Sequence, residues 1–179
     1  MPDLFTHMLV GYVIAVALSW RYEWIAYPYV TLTMGAAILP DLNRIELALP
    51  ASTIETVLGI PWSWVPLHRV SGTLLIVCLG SLLAPTRLRR RVFALLAVGA
   101  TSHYTLDLML YKPSGLSGPF LWPLTDHRFA IEGIYLSSDR WPALVMITIA
   151  AAVWYLDRRR ARANGEASVD GSTTDNTAE

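Results

Sequence analysis

The chain predicts an all-α fold: a multi-span helical integral membrane protein with about five transmembrane or re-entrant helices. Five apolar runs, near 5–20, 26–39, 70–84, 91–111 and 141–156, are the first reason. Mean hydropathy is +0.41 and only 16% of residues are charged, too apolar for an ordinary soluble domain. Arginines are also segregated: Arg87, Arg89, Arg90 and Arg91 fill the link between the third and fourth runs, and Arg158, Arg159, Arg160 and Arg162 follow the fifth.

The first run ends at an interfacial anchor, Trp20, with Trp24, Tyr27 and Tyr29 beyond it. Ala15-Val16-Ala17 looks like a signal-peptide cleavage site, but no lysine or arginine precedes the run, so the segment is read as retained. Pro28, Thr31, Thr33 and Gly35 dilute the second run and make it the re-entrant candidate. The third holds Cys78, the only cysteine, which excludes an intrachain disulfide and reads as a small apolar filler. The fourth is the length a helix needs to cross a hydrocarbon core of roughly 30 Å. Trp141 opens the fifth, and Trp154 and Tyr155 close it. The four shorter runs need flanking aromatics or a thinner membrane to span.

Residues 1–162 are therefore expected to form one helical membrane domain, and the polar residues 163–179 a disordered cytoplasmic tail. The positive-inside rule puts the arginine clusters in the cytoplasm, so five spans place the N-terminus outside, the C-terminus inside and the 40–69 and 112–140 loops outside. Nine basic residues fall in the short inner segments and five in the two long outer loops. A net charge of zero excludes a basic footprint for nucleic acid, leaving membrane lipid as the expected partner.

All four histidines sit in polar clusters that interrupt this apolar chain: Thr6-His7, His68-Arg69, His103 to Asp107, and Asp126-His127. Pro40-Asp41-Leu42-Asn43 ends the second run in the same way. Ionisable groups beside hydrocarbon are costly unless they pair, line a wet cavity or bind an ion. The threading puts every cluster at the outer face. His103 and Asp107 are four apart, on one face of a helix, where both can ligate one ion or staple two helices. Asp41 is a candidate ligand or a turn cap. His68-Arg69 sets a possible ligand beside an anion-binding guanidinium. His7 alone reads as packing, and Asp126-His127-Arg128 resembles a solvated charge run. Together His7, Asp41, His68, His103 and Asp107 form a mixed nitrogen and oxygen set suited to zinc, or to manganese or iron.

These motifs resemble the YdjM-like family of LexA-binding, inner-membrane-associated metal-dependent hydrolases. Asp3-Leu-Phe-Thr6-His7-Met-Leu-Val-Gly11 is similar to its opening D-x-x-T-H-x-x-x-G, Pro40-Asp41-Leu42-Asn43 to its P-D-x-D, and His68-Arg69 to the start of its H-R-x-x-T-H. Ser102-His103 to Asp107 is similar to its S-H-x-x-x-D, and Leu121-Trp122-Pro123 to its L-x-P. The resemblance covers about residues 1–125 and implies that His7, Asp41, His68, His103 and Asp107 are the metal-site residues. Gly72-Thr73 stands where the family has Thr-His, and Asn43 where it has a second acid, which puts a second ion in doubt. His127 is a candidate replacement.

The expected function is hydrolysis of an ester or phosphoester, lipid-like substrates favoured, at the extracytoplasmic face. Asp107 and Asp41 are the candidate bases or ligands, and Arg69, with Arg128, the candidate anion clamp. A transporter or ion pathway is the first alternative, although no internal repeat supports it. A structural or regulatory membrane protein with His–Asp helix staples is the second.

Overall fold

The computed structural model describes the backbone of residues 4–174 and side chains as far as residue 164. Helices form where the apolar runs lie. They are α1 (Leu4–Ser19), α2 (Tyr27–Ala36), α3 (Ala51–Leu58), α4 (Val70–Leu83), α5 (Arg89–Leu108) and α6 (Trp141–Thr174), with 3-10 segments at Leu39–Leu47 and Val65–His68. Among the described residues there is no strand beyond two isolated bridges, Leu110 with Tyr135 and Leu116 with Ala130. Helix α3 and both 3-10 segments occupy the expected 40–69 loop; none of them coincides with one of the apolar runs. The expected tail, 163–179, is helical to Thr174, and 175–179 lie outside the described residues.

Local chemistry sets the boundaries. Pro28 stands in the first turn of α2, where its missing N–H costs nothing. Pro40 stands likewise at the start of the first 3-10 segment. Gly59 ends α3 at φ 67°, a left-handed conformation that glycine adopts without Cβ strain.

Helix α1 packs between α2 and α6, α2 packs on α5, and α5 on α4. Ala15, Val16, Ile25, Val30 and Leu95 form one buried cluster, and Ala36, Val77, Leu96 and Ala100 a second. Two glycines set the spacing. A Cβ on Gly99 would lie 2.5 Å from the Ala36 Cβ and 2.6 Å from the Thr33 carbonyl oxygen. One on Gly11 would lie 3.0 Å from both the Ala37 Cβ and the same Thr33 oxygen. Helices α1 and α5 thus close on one turn of α2, each one helical turn from a histidine, His7 or His103.

The two ends of the molecule differ in chemistry. Trp20 Nε1 donates to Asp157 at 2.9 Å, and the Arg160 and Arg91 guanidiniums lie over Trp20 and Trp24. His7, thirteen residues before Trp20 on α1, is therefore about 20 Å from this arginine–aromatic end at 1.5 Å per residue.

No helix among the described residues is long and apolar enough to cross a membrane, so the five-span expectation narrows to its all-α part. Helices α1 and α4 have 16 and 14 residues. The fourth run does not make one apolar helix, because α5 begins with Arg89-Arg90-Arg91 and ends at Leu108. Apolar side chains nonetheless face outward along α4 (Leu75, Leu79, Leu82, Leu83) and α6 (Leu144, Val145, Ile147, Ile149).

Gly99→Ala is expected to destabilise the protein by about 1–3 kcal/mol, because backbone and Cβ atoms of α2 cannot yield cheaply. Gly35→Ala, on the exposed face of α2 with nothing within 4 Å, is expected to be neutral or stabilising. Thermal unfolding of the two variants in one detergent checks the contrast; equal losses would mean that α5 does not depend on this contact.

Candidate metal centre

The five residues singled out in the sequence converge on one buried place. Helix α1 supplies His7, the first 3-10 segment Asp41, the second His68, and α5 both His103 and Asp107. His7 and His103 are fully buried, and Asp41 and Asp107 nearly so. The His7 and His103 rings stack with centroids 3.9 Å apart and 15° between planes, which the close glycine contacts on α2 allow. His68 meets the His103 ring edge-on at 5.3 Å.

Hydrogen bonds at the back of the site fix which nitrogens face inward. His103 Nδ1 lies 2.8 Å from the Ala37 carbonyl oxygen, and His68 Nδ1 lies 2.9 Å from that of Pro40. A carbonyl only accepts, so both Nδ1 atoms carry the proton and donate, and both Nε2 atoms turn towards the carboxylates. A backbone acceptor behind an imidazole is how proteins orient a metal-ligating histidine.

The carboxylates are oriented as well. Arg44 Nε and Nη2 both lie 3.0 Å from Asp41 Oδ2, leaving Oδ1 facing His103 Nε2 at 3.8 Å and His68 Nδ1 at 3.6 Å. Asp107 Oδ2 lies 3.0 Å from His68 Nε2 and 3.5 Å from His103 Nε2, and its Oδ1 is 3.9 Å from His7 Nε2. Asp41 Oδ1, Asp107 Oδ1, His103 Nε2 and both His7 nitrogens are buried without a hydrogen-bond partner.

Buried polar atoms are rarely left unpaired, because each costs about 1–3 kcal/mol. Several orphans aimed at one another make a donor set for a divalent cation, whose charge the two carboxylates balance while neutral imidazoles complete the shell. Two groups of donor atoms, each within 4.8 Å, can hold an ion: His7, His103 and Asp107, or Asp41, His68 and His103. Both need His103, whose Nδ1 is committed to Ala37. One Nε2 lone pair serves one ion, so the two groups describe alternatives, or parts of a single shell, rather than two independent ions.

Burial alone would lower the His68 pKa, but the hydrogen bond and charge of Asp107, the Pro40 carbonyl and the Asp41 charge together raise it above the ordinary 6.5. An ion taking Nε2 must displace that proton.

The other predicted residues lie apart from the donor set. Arg69 follows His68 at the start of α4, its Nη1 against Gly118. His127 is exposed, its ring against Phe129, and belongs to neither group of donor atoms. The place of the missing family histidine is filled otherwise. A Cβ on Gly72 would lie 2.1 Å from the Pro66 carbonyl oxygen, so the turn ahead of α4 admits only glycine there. Thr73, buried beside it, donates to the Leu67 carbonyl and pairs with the Tyr104 hydroxyl at 2.7 Å. Asn43 Oδ1 is buried without a partner. Sequence reasoning missed Tyr104, whose ring meets both His68 and His103 edge-on; its place next to His103 was the only signal. It missed the Ala37 and Pro40 carbonyls too, since backbone acceptors leave no mark in residue identity.

A family model described as YdjM inner membrane protein matches residues 1–169. No curated protein and no solved structure matches the chain.

Elemental analysis of the full chain is expected to find one divalent transition-metal ion per molecule, lost in the His103→Ala, Asp107→Ala double variant. No metal after incubation with excess ion would leave the His–Asp contacts as helix staples. Metal affinity is expected to rise with pH through the window that ends at the raised His68 pKa, above 6.5, and to level off beyond it. Below that window the His68 proton bond to Asp107 stabilises the metal-free protein; it is lost as pH passes the raised pKa, and the ion then gains the nitrogen. Affinity independent of pH across that window would place His68 outside the coordination shell.

Proposed function

The chain belongs to the YdjM inner membrane protein family, and from that premise we propose a membrane-bound, metal-dependent hydrolase of an ester or phosphoester. The observation that carries this is the convergence of unpartnered carboxylate and imidazole atoms in one buried place. Structural ion pairs satisfy one another, whereas this set leaves donors open towards a shared point. His7, Asp41, His68, His103 and Asp107 would hold the ion. Zinc fits this donor set best, with manganese or iron as the other choices. A bound divalent ion supplies Lewis acidity, polarising a carbonyl or phosphoryl oxygen and making water nucleophilic near neutral pH.

The chain's own groups perform the remaining work. Asp107 would hold the ion through one oxygen, and the other, released when the ion takes His68 Nε2, accepts the proton that the attacking water gives up. Asp41 is held by Arg44 and acts in place rather than by moving. Arg69, beside His68 and Tyr104, binds the anionic group of the substrate and neutralises charge as it develops.

Outward leucines and isoleucines on α4 and α6 support a lipid-facing belt. The arginine–aromatic end then lies at the cytoplasmic interface and the metal end towards the outer face, about 20 Å away.

A screen of ester and phosphoester substrates on the metal-loaded protein tests the activity. Asp107→Asn is expected to abolish metal-dependent turnover. Arg69→Gln is expected to raise KM by about tenfold or more for anionic substrates, the loss of one charge-assisted hydrogen bond. Metal bound with no hydrolysis of any ester would reduce the centre to a structural one. Cysteine placed at position 127 should label from the outer face; labelling only from the cytoplasm would reverse the orientation.

A further inference from the structure

Beside the metal centre lies an apolar cavity of about 560 Å³, between α4, α5 and the 117–129 loop. Its wall nearest the centre is Tyr104, which meets His68 and His103 on one side and Phe120 on the other. Val77 and Ala100 form its floor, and Leu74 and Leu121 stand at its open side. The loop that covers it is tied to the start of α4: Val70 N–H donates to the Phe120 carbonyl at 3.0 Å, and Ser71 Oγ to the Trp122 carbonyl at 2.6 Å. The cavity is thus a built feature of two helices and an anchored loop.

Its rim is cationic. Arg69 immediately precedes Val70 of the cavity wall, and its guanidinium forms no salt bridge or hydrogen bond among the described residues. Arg128 lies within electrostatic reach of the same guanidinium and disfavours its charge, more than Asp126 offsets. Lys112 Nζ stands over the Phe120 ring at 5.4 Å. Cations close to an apolar chamber, Arg69 and Arg128 together and Lys112 over Phe120, fit an amphiphile with an anionic head and a hydrocarbon tail.

We infer that this cavity is the acyl-chain subsite of the enzyme, and that its substrate is an anionic single-chain amphiphile. The tail lies along Leu74, Val77 and Ala97, and the phosphate or carboxylate head sits by Arg69 and Arg128, next to the metal centre. A volume of this size is in the range of ordinary ligand sites and takes one chain rather than two. The inference rests on the hydrolase reading for the head's fate, but the binding itself needs no metal.

The test is photo-crosslinking of the full chain by dodecyl phosphate carrying a terminal diazirine, with the labelled residues mapped by mass spectrometry. Label is expected on Leu74, Val77 and Ala97 at about tenfold the level on outward residues of α6, because the cavity withdraws the chain from its surroundings. Unlabelled dodecyl phosphate is expected to compete, whereas dodecyltrimethylammonium and inorganic phosphate are not: one lacks the anionic head and the other the chain. Leu74→Trp, at a half-exposed position that leaves the core untouched, is expected to remove the cavity label. Arg69→Gln is expected to remove the preference for phosphate over ammonium. Equal labelling of α4 and α6, or equal competition by the cation, overturns the assignment.

Metal content measured on the same samples separates the two ideas. Cavity labelling that survives chelation in a protein that binds no metal leaves the subsite standing and removes the hydrolase. A metal-loaded protein without cavity labelling does the reverse.

Discussion

Two carboxylates and three imidazoles share one buried volume, and the rest of the molecule is arranged to hold them there. Desolvating such groups costs several kcal/mol for each charge unless partners compensate. Here the compensation is divided. Arg44 takes one oxygen of Asp41, His68 takes one oxygen of Asp107, and two backbone carbonyls take the outer nitrogens of His68 and His103. Of the atoms left over, Asp107 Oδ1 faces His7 Nε2 at 3.9 Å and Asp41 Oδ1 faces His103 Nε2 at 3.8 Å. A cation at their centre would satisfy them together, and would convert the costliest region of the fold into one of its strongest cross-links, joining α1, α5 and both 3-10 segments.

That arrangement depends on close helix approach. The stacked His7 and His103 rings require α1 and α5 to lie against the same turn of α2, which Gly11 and Gly99 permit. The same turn runs on to Ala37 and Pro40, whose carbonyls orient the histidines. One short helix and the segment after it therefore set the spacing, the ring orientation and the tautomers. This makes the weakest of the five apolar runs, with its proline, threonines and glycine, the organiser of the site.

The departures from the family pattern also have local reasons. With Gly72 pressed on the Pro66 carbonyl and Thr73 bonded to Tyr104, the start of α4 serves the wall of the apolar cavity rather than adding a ligand. Tyr104 then joins the two halves of the site, with metal-ligand candidates on one face and hydrocarbon on the other.

Much of this was legible in the sequence. Hydrophobic runs placed five of the six α-helices, because burying or solvating apolar surface is decided by residue type and spacing. The H-x-x-x-D spacing placed His103 and Asp107 on one helical face, and the polar interruptions picked out His7, Asp41 and His68, since ionisable groups beside hydrocarbon need a reason. Helix α3 and the 3-10 segments were not legible: they are short and lie between the apolar runs. What only the tertiary structure decided is which clusters meet. His127 reads in sequence much like His68 yet stands exposed on a loop, while His7, which alone looked like packing, is stacked on His103. Residue identity states what each side chain can bind. Distances across α1, α2 and α5, set by glycine contacts and backbone carbonyls from remote segments, decide which of them bind together.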